Sequence, residues 1–369
     1  ATVNEEIDRF RHSATSALSE RNDVIVVASV SCIYNLGIPI NYFESAIKLS
    51  LGRTISRSDL ISQLVRIQFK RTNNVIERSH FRVRGETFEL IPASGESLVR
   101  VELNDQRVSS ISFHDPLTLK LIENLTEIAI FPTKHFISTQ PEIAEAINNI
   151  NSELKGQIKY FKSKKLYLEE ERIKRRTRYD MEMLNSLGFC HGIENYSRHL
   201  TGKLSGEAPN TLLSYFKDKD YLLKIDESHI GVPQIRGMYE GDKSRKETLI
   251  KYGWRLPSAL DNRPLKFSEF LDNINQTIFT TATPGKFEIE NSKQIVKQVI
   301  RPTGLIDPPV EIKKVYDAIN NFSQVDDFTE QISLVVKEKN RAIANVLTKK
   351  MAEDLAEYLL KNNFKVKYL

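Results

Sequence analysis

Residues 221–231 read YLLKIDESHIG, an apolar run that ends in Asp226, Glu227, Ser228 and His229. An apolar strand with acidic residues at its carboxyl end is typical of the parallel sheets of nucleotide-hydrolysing proteins. In such a sheet Asp226 is expected to hold Mg²⁺ through its water shell, and Glu227 to orient and deprotonate the attacking water. His229 is expected to link the nucleotide to the opposite side of the cleft. An acidic loop that follows a strand by chance gives the same letters, so the motif needs support from elsewhere in the chain.

A second strand supplies part of that support. The run QTIFTTATPG (276–285) is predicted to form a strand beside the first, as in two-lobed motor ATPases. The hydroxyls of Thr281 and Thr283 are then expected to face the nucleotide cleft. Alternatively, these hydroxyls cap the turn before Pro284.

The phosphate-binding loop of such ATPases is missing from the sequence. No G-x-x-x-x-G-K-[ST] run occurs in the 369 residues. GMYEGDKS (237–244) has only three residues between its glycines, and TGKLSG (201–206) lacks the first Gly and the final Ser or Thr. Neither run can wrap backbone N–H groups around a β-phosphate. Either the protein is not an ATPase, or the loop lies outside this sequence.

Composition indicates a folded, soluble protein, with 40% hydrophobic and 27% charged residues. The longest apolar stretch (24–34) is too short to span a bilayer, and the N-terminus has no signal-peptide pattern. Two cysteines cannot form a disulfide framework, so a reducing cytosol is the expected location. The net charge of +5 permits nucleic-acid binding without predicting it.

The sequence lacks the motifs of metalloproteases and of serine hydrolases. There is neither an H-E-x-x-H metalloprotease motif nor a G-x-S-x-G hydrolase elbow. Cys190, His191, Glu194 and His199 lie close together in the sequence, but their spacing matches no standard zinc-ligand set.

The N-terminal segment is predicted to belong to an α/β layer. Apolar residues recur at helical spacing over the first twenty residues, at Ile7, Phe10, Ala14, Ala17 and Leu18. The following run VIVVAS (24–29) is apolar on both faces, which predicts a strand that is buried on both sides.

Residues 42–133 are predicted to form an inserted α+β domain with an antiparallel sheet. HFRVRG (80–85) alternates apolar and charged side chains, and LVRVEL (98–103) does the same. The alternation changes phase after Gly85, which predicts a β-bulge there.

Residues 141–187 are predicted to form a long helix or a helical hairpin, because they are dense in helix formers. Two basic clusters, KYFKSKK (159–165) and RIKRRTRYD (172–180), flank an acidic EEE. A solvated helix face and a surface that follows phosphates explain these clusters equally well.

The chain after the proline-rich connector (301–310) is predicted to alternate between strands and helices. The expected strands are EIKKVYD (311–317), RAIANVLT (341–348) and FKVKYL (364–369), and the expected helices cover 325–338 and 349–363.

Several long runs together resemble one family, UvrB, the damage-verification ATPase of the bacterial UvrABC excinuclease. Their order and spacing match that family across essentially the whole chain. The runs are MLNSLGFCHGIENYSRHL, IDESH, PQIRGMYEGDKSRKETLIKYGWRLPSALDNRPL, TATPG, RPTGLIDP and LTKKMAEDL. The chain departs from the usual pattern at His191, Trp254 and Asn345.

The resemblance implies an α/β fold: a RecA-like P-loop NTPase lobe of the helicase superfamily, with an inserted α+β domain and a helical subdomain. It implies these bounds: first motor lobe 1–41 and 206–302, UvrA-binding insertion 42–133, DNA-clamping helical subdomain 134–205, and the start of a second RecA-like lobe 303–369. It also implies that the sequence follows the family's phosphate loop and β-hairpin and ends before its last motor motifs.

The resemblance assigns roles to individual residues. Asp226 and Glu227 match helicase motif II, Thr281–Thr283 match motif III, and 28–37 match a loop that lines the DNA path. The UvrA contacts of the family correspond to Arg71, Arg82, Arg84, Arg100 and Glu102. The candidates for DNA stacking and phosphate contacts are Arg175, Arg176, Arg178, Tyr196 and Arg198.

The implied function is damage verification in nucleotide excision repair, with ATP and Mg²⁺ as cofactors. The expected partners are UvrA, damaged double-stranded DNA and UvrC, the last through regions outside this sequence, and no membrane. The 369 residues by themselves are expected not to hydrolyse ATP, since they contain no phosphate loop. The alternative is a non-catalytic adaptor that binds UvrA and DNA and in which IDESH is vestigial.

Overall fold

A computed structural model of the chain describes residues 4–95, 97–136, 140–216, 220–300, 303–304 and 306–368. The chain divides into two compact units, residues 1–295 and 296–369. The architecture is mixed α/β. Within the described part of the chain, no helix combines the length and the apolarity that are needed to cross a membrane.

The predicted N-terminal helix is present, but it buries a different face. Helix α1 (Glu5–Glu20) begins after Asn4, whose side chain accepts hydrogen bonds from the amides of the first turn. Ile7 and Phe10 are more than half exposed. The buried side instead carries His12, Thr15, Ser16 and Leu18.

The predicted strand 24–29 is not formed. No described strand lies beside it, and Ile25 and Val27 are 93% and 96% exposed. Val24 and Val26 pack instead against the cluster that contains Tyr42 and Tyr215. Without a neighbouring strand the backbone groups have no ladder to join, so an apolar run alone is not sufficient to form a strand.

The inserted segment forms a six-stranded sheet in the order β2-β3-β4-β5-β6-β7, with a separate antiparallel pair β1–β8. Its helices are α2 (Pro39–Glu44), just before the pair, and α3 (Arg57–Arg66). The strands are β1 (Ile47–Ser50), β2 (Lys70–Arg71), β3 (His80–Arg84), β4 (Thr87–Leu90), β5 (Leu98–Asn104), β6 (Arg107–His114), β7 (Leu121–Asn124) and β8 (Glu127–Ile130). Both alternating strands predicted from the sequence are therefore confirmed.

The bulge predicted at Gly85 is wrong. Arg84 pairs with Thr87, so residues 85 and 86 form a two-residue hairpin loop between β3 and β4. Gly85 adopts a φ of +58°, as a tight hairpin turn of this kind requires. The change of phase in the sequence marks the passage from one strand to the next, rather than an irregularity within one strand.

Two long antiparallel helices follow, which confirms a hairpin over 141–187. They are α4 (Gln140–Ser163) and α5 (Tyr167–Leu187), and a short helix, α6 (Ser197–Thr201), packs against α4. Their shared core includes Ile150, Leu154, Phe161, Ile173 and Leu184.

The acidic motif lies on a small parallel sheet of two strands. β9 (Leu222–Asp226) pairs with β10 (Gln276–Thr280), so the predicted neighbourhood of the two strands is confirmed. The helices of this region are α7 (Ser228–Lys251), α8 (Phe267–Asn273) and α9 (Lys286–Asn291). One face of β9 is exposed at Leu222 and Lys224, and the apolar cluster covers the other face alone.

The second unit has less regular structure than the sequence predicts. Its elements are β11 (Tyr316–Asp317), β12 (Phe322–Ser323), α10 (Gln324–Lys337) and α11 (Lys349–Lys361). Both predicted helices are confirmed. Strands over 341–348 and over the described part of 364–369 are not formed, and of 311–317 only the last two residues are in a strand. Ile343 and Leu347 are almost fully exposed, and no described strand pairs with the segment that contains them.

Backbone packing fixes the end of α7 against α5. Gly253 has a φ of +70°, and a Cβ atom added to it would lie 2.3 Å from the carbonyl oxygen of Glu169. Nearby, Arg198 forms an ion pair with Asp261 at 2.9 Å, and Glu153 accepts a hydrogen bond from the Ser258 amide at 2.7 Å. These contacts join the helical hairpin to the region that carries the acidic motif.

We predict that Gly253→Ala lowers the free energy of unfolding by about 3 kcal/mol, because it combines a left-handed backbone with a clash against main chain. Gly241→Ala, in the exposed middle of α7 with no atom nearby, should instead stabilise by about 0.5–1 kcal/mol. Urea denaturation of both variants measures the difference. Equal stability of the two variants would contradict the close packing of residue 253 on α5.

Candidate functional site

The parallel register of β9 and β10 brings Asp226 and Thr280 directly opposite each other. The Thr280 hydroxyl donates a hydrogen bond to Asp226 Oδ1 at 2.7 Å. This bond, together with the nearby Lys224 ammonium, lowers the pKa of the Asp226 carboxyl below its ordinary value. Asp226 is therefore ionised at neutral pH, and its side chain is exposed at the carboxyl edge of the sheet.

Glu227 occupies a strained position between β9 and α7. Its φ and ψ are +45° and +48°, in the left-handed region that residues with a Cβ rarely adopt. Its carbonyl accepts hydrogen bonds from the amides of Ile230 and Gly231, which hold the turn. The carboxylate is 64% exposed and projects from the same edge of the sheet as Asp226.

His229 contacts both sides of this edge. Its Nδ1 lies 2.7 Å from the Thr281 hydroxyl and 3.4 Å from Glu227 Oε2. The Thr281 hydroxyl also accepts a hydrogen bond from the Thr283 amide at 3.1 Å. Thr281 therefore contacts His229 and caps the turn before Pro284, as the second interpretation of this hydroxyl predicts, while the Thr283 side chain is exposed.

The sequence interpretation missed Thr280. A usable signal was present, because aligning the ends of two adjacent parallel strands pairs the last residue of YLLKID with the last residue of QTIFT. This alignment depends on knowing that the strands are neighbours and in register, which composition alone does not give.

These side chains are chemically suited to hydrated Mg²⁺. Thr280 donates its hydrogen bond to Oδ1 of Asp226. The rest of the exposed Asp226 carboxylate can still accept hydrogen bonds from the water shell of an ion. An exposed Glu227 nearby offers a proton acceptor for water. The set of donors therefore fits the metal and water roles expected for motif II.

A buried carboxylate organises the outer face of the six-stranded sheet. Glu89 is only 6% exposed, and it accepts hydrogen bonds from Arg82 at 2.6 Å and from Arg100 at 2.9 Å. Burial acts to raise the pKa of Glu89, but the two guanidinium groups outweigh it and hold that pKa below its ordinary value. The sequence interpretation missed Glu89, although the alternation along β4 assigns it to the same face as the arginines.

The five residues of this domain that are predicted to contact UvrA differ in how far their side chains are exposed. Arg82 and Arg100 face outward as predicted, yet their side chains are only 15% and 28% exposed because they hold Glu89. Glu102 accepts a hydrogen bond from Ser110. Arg71 and Arg84 are exposed.

In the helical hairpin, the structure contradicts Tyr196 as a base-stacking residue. Its ring is buried, and its hydroxyl donates to Asp180 Oδ2 at 2.8 Å. A ring enclosed in the core cannot stack on a base, and the hydrogen bond instead satisfies a buried carboxylate.

Two of the predicted phosphate contacts in this region are engaged within the protein. Arg176 pairs with Asp180 and donates to the His191 carbonyl, and Arg198 pairs with Asp261. Arg175 and Arg178 are exposed and remain candidates for DNA contact. The exposed Tyr179, directly after Arg178, is a further aromatic on this helix that the sequence interpretation passed over.

Comparison with known proteins gives two domain matches. Residues 47–136 match the UvrB interaction domain, and residues 141–202 match the UvrB third helical domain. The first match contains the six-stranded sheet with Glu89, and the second contains the helical hairpin.

The whole chain is also similar to sequences named UvrABC system protein B. It is 50% identical to that of Carboxydothermus hydrogenoformans over 370 residues, 47% identical to that of Methanothermobacter thermautotrophicus over 369, and 48% identical to that of Chloroflexus aggregans over 369. These matches cover 100% of this chain and 55%, 56% and 54% of the respective relatives. The chain thus spans about half the length of the curated relatives that it matches.

We predict that Arg82→Glu lowers the free energy of unfolding of the sheet domain by about 3 kcal/mol, since it places a second carboxylate beside buried Glu89. Arg84→Glu is the matched control on the same strand and should stay within about 0.5 kcal/mol of the parent, because Arg84 is exposed. Hydrogen exchange of the β3–β5 amides measures both effects. Equal protection in the two variants would contradict a structural role for the Arg82–Glu89–Arg100 network.

Proposed function

Because the chain belongs to the UvrB family, we propose that it forms part of the damage-verification subunit of the nucleotide excision repair excinuclease. This subunit is a helicase-like, DNA-dependent ATPase that receives DNA from UvrA, tests one strand for lesions and recruits the incising subunit UvrC. The observation that carries the proposal is the Asp226–Glu227 pair at the end of β9, in which Asp226 accepts a hydrogen bond from Thr280 on β10.

We further propose that β9, β10 and α7 belong to a RecA-like motor lobe. A parallel pair of strands with carboxylates and hydroxyls at its carboxyl edge is the expected arrangement for a nucleotide site in such a sheet. Helix α7 begins directly after the carboxylates, so a shift at this edge moves the whole helix.

Asp226 is the proposed magnesium-binding residue. The hydrogen bond from Thr280 fixes its rotamer and favours its ionised form, so the carboxylate is ready to bind the water ligands of the ion. When bound, Mg²⁺ neutralises charge on the β- and γ-phosphates of ATP.

Glu227 is the proposed general base. Its carboxylate accepts a proton from the attacking water and aligns the oxygen lone pair towards the γ-phosphate. The Glu227 side chain is 64% exposed beside His229, so its carboxylate is accessible to water, which supports this role.

His229 and Thr281 are the proposed link between the nucleotide and the rest of the motor. Thr281 follows β10, and its hydrogen bond to His229 joins that strand to the first turn of α7. A change in the charge around Glu227 alters the environment of His229, because the two side chains lie 3.4 Å apart.

Hydrolysis also needs a phosphate loop and cationic side chains to stabilise the transition state. The 369 residues contain no G-x-x-x-x-G-K-[ST] run, so we infer that they do not hydrolyse ATP by themselves. The loop is expected elsewhere in the full-length protein.

The sheet face with Arg84 and Glu102 is the proposed contact surface for UvrA, together with the exposed Arg71 on the edge strand β2. Charged residues on fixed strands suit docking against a complementary charged surface. Arg82 and Arg100 contribute to this face mainly through Glu89, whose carboxylate holds both guanidinium groups in place. Arg175 and Arg178 on α5 are the proposed contacts to DNA phosphates.

We predict that Glu227→Gln in the full-length protein lowers ATP turnover by about 10²–10⁴-fold, because it removes the base and keeps the shape. Nucleotide binding should change little. Glu240→Gln, an exposed position on α7, is the control and should leave turnover unchanged. Steady-state phosphate release in the presence of DNA measures both variants. Unaltered turnover in Glu227→Gln would contradict Glu227 as the general base, and an absence of turnover in the parent would favour the adaptor with a vestigial motif.

A further inference from the structure

An open groove lies beside the β1–β8 pair of the interaction domain. It has a volume of about 650 Å³ and lies between β1, the loop after it and helix α3. Its polar lining consists of Glu44, Lys48, Arg53, Gln63 and Arg66. None of these side chains belongs to the carboxylate site on β9 or to the arginine face of the sheet.

The cations of this groove are not neutralised within the described part of the chain. Lys48, Arg53 and Arg66 are exposed and have no ion pair there, and Glu44 is the one carboxylate among the lining residues. On the sheet of the same domain, by contrast, Arg82 and Arg100 both form ion pairs with Glu89. The groove therefore keeps a positive charge with free hydrogen-bond donors.

The groove and the proposed UvrA surface lie on opposite sides of the domain. Helix α3 buries Leu60 and Leu64 in the core shared with Phe81 and Val99, which face away from the arginine side of the sheet. Arg66 projects from α3 on its exposed side. A partner on the arginine face thus leaves the groove accessible.

The groove also lies close to the helical hairpin. Gln68, two residues after Arg66, donates a hydrogen bond from Nε2 to the carbonyl oxygen of Leu187 at 3.1 Å. Leu187 ends α5, the helix that carries the exposed Arg175 and Arg178. The basic groove and the basic face of α5 therefore belong to adjoining parts of one unit.

The lining of the groove favours phosphates over a protein anchor. Ile47 is only 3% exposed, and the Phe43 ring packs edge-on against Tyr215, so little apolar surface is offered. The residues that carry most of the affinity of protein interfaces are aromatic side chains and arginines in well-packed, desolvated pockets, whereas Arg53 and Arg66 are exposed in an open groove. Guanidinium groups, by contrast, match the oxygens of a phosphate in a bidentate geometry.

We propose that this groove is a second DNA-contact surface, in which Lys48, Arg53 and Arg66 bind the phosphate backbone of duplex DNA beside the helical hairpin. The inference rests on the proposed DNA-binding function. It adds a surface on the interaction domain, so that this domain contacts its protein partner with one side and the duplex with the other.

The test compares two double variants of the full-length protein in binding to a fluorescein-labelled 40-base-pair duplex across a range of KCl concentrations. Arg53→Gln/Arg66→Gln should weaken binding by roughly tenfold. It should also reduce the slope of log affinity against log salt by about 1.8, since each lost phosphate contact lowers that slope by about 0.9. The control, Lys70→Gln/Lys120→Gln, removes two exposed cations of the same domain outside the groove and should leave both quantities unchanged.

The possible results separate the two proposals. An unchanged affinity and slope in the groove variant, or equal losses in both variants, would overturn the groove while leaving the proposed function intact. A loss of UvrA binding with normal DNA binding would overturn the DNA assignment in favour of an acidic protein partner. Failure of the parent protein to bind the duplex would remove both proposals. Equal thermal unfolding midpoints of parent and variants exclude misfolding as the cause of a loss.

Discussion

The parallel pairing of β9 with β10 is the interaction on which the candidate site depends. It sets Thr280 opposite Asp226, and the 2.7 Å hydrogen bond between them orients the carboxylate and lowers its pKa. The same register positions Thr281 against His229 at the start of α7. A slip by one residue would remove Thr280 from its position opposite Asp226 and would dismantle the site.

Buried carboxylates with cationic or hydroxyl partners are the second recurring feature. Glu89 holds two arginines in the interaction domain, and Asp180 holds Arg176 and Tyr196 in the helical hairpin. Each carboxylate accepts hydrogen bonds from side chains that the sequence alone predicts to bind a partner or DNA. In a region rich in charge, the residues left for binding are those without such a partner, and they can be identified only after the buried acids have been located.

Periodicity in the sequence predicted the helices and the alternating strands well, because these patterns are local. The parallel neighbourhood of the two motif strands also followed from the sequence. The strand predicted at 24–29 failed for a non-local reason, since pairing needs a neighbouring strand that apolarity does not provide. The prediction that Tyr196 stacks on a base failed because its hydrogen-bond partner, Asp180, lies sixteen residues away on another helix. The ionised Asp226 was expected from the motif, whereas its partner Thr280 required the register.

Iron-directed backbone cleavage tests most directly whether the carboxylate edge of β9 is the metal site. Fe²⁺ replaces Mg²⁺ in the full-length protein with bound ATP, and peroxide with ascorbate then generates hydroxyl radicals at the metal. Cleavage is expected next to Asp226 and Thr280, dependent on nucleotide and lost in Asp226→Asn. Cleavage that spares both strand ends, or that persists unchanged in Asp226→Asn, would contradict a metal site at this edge.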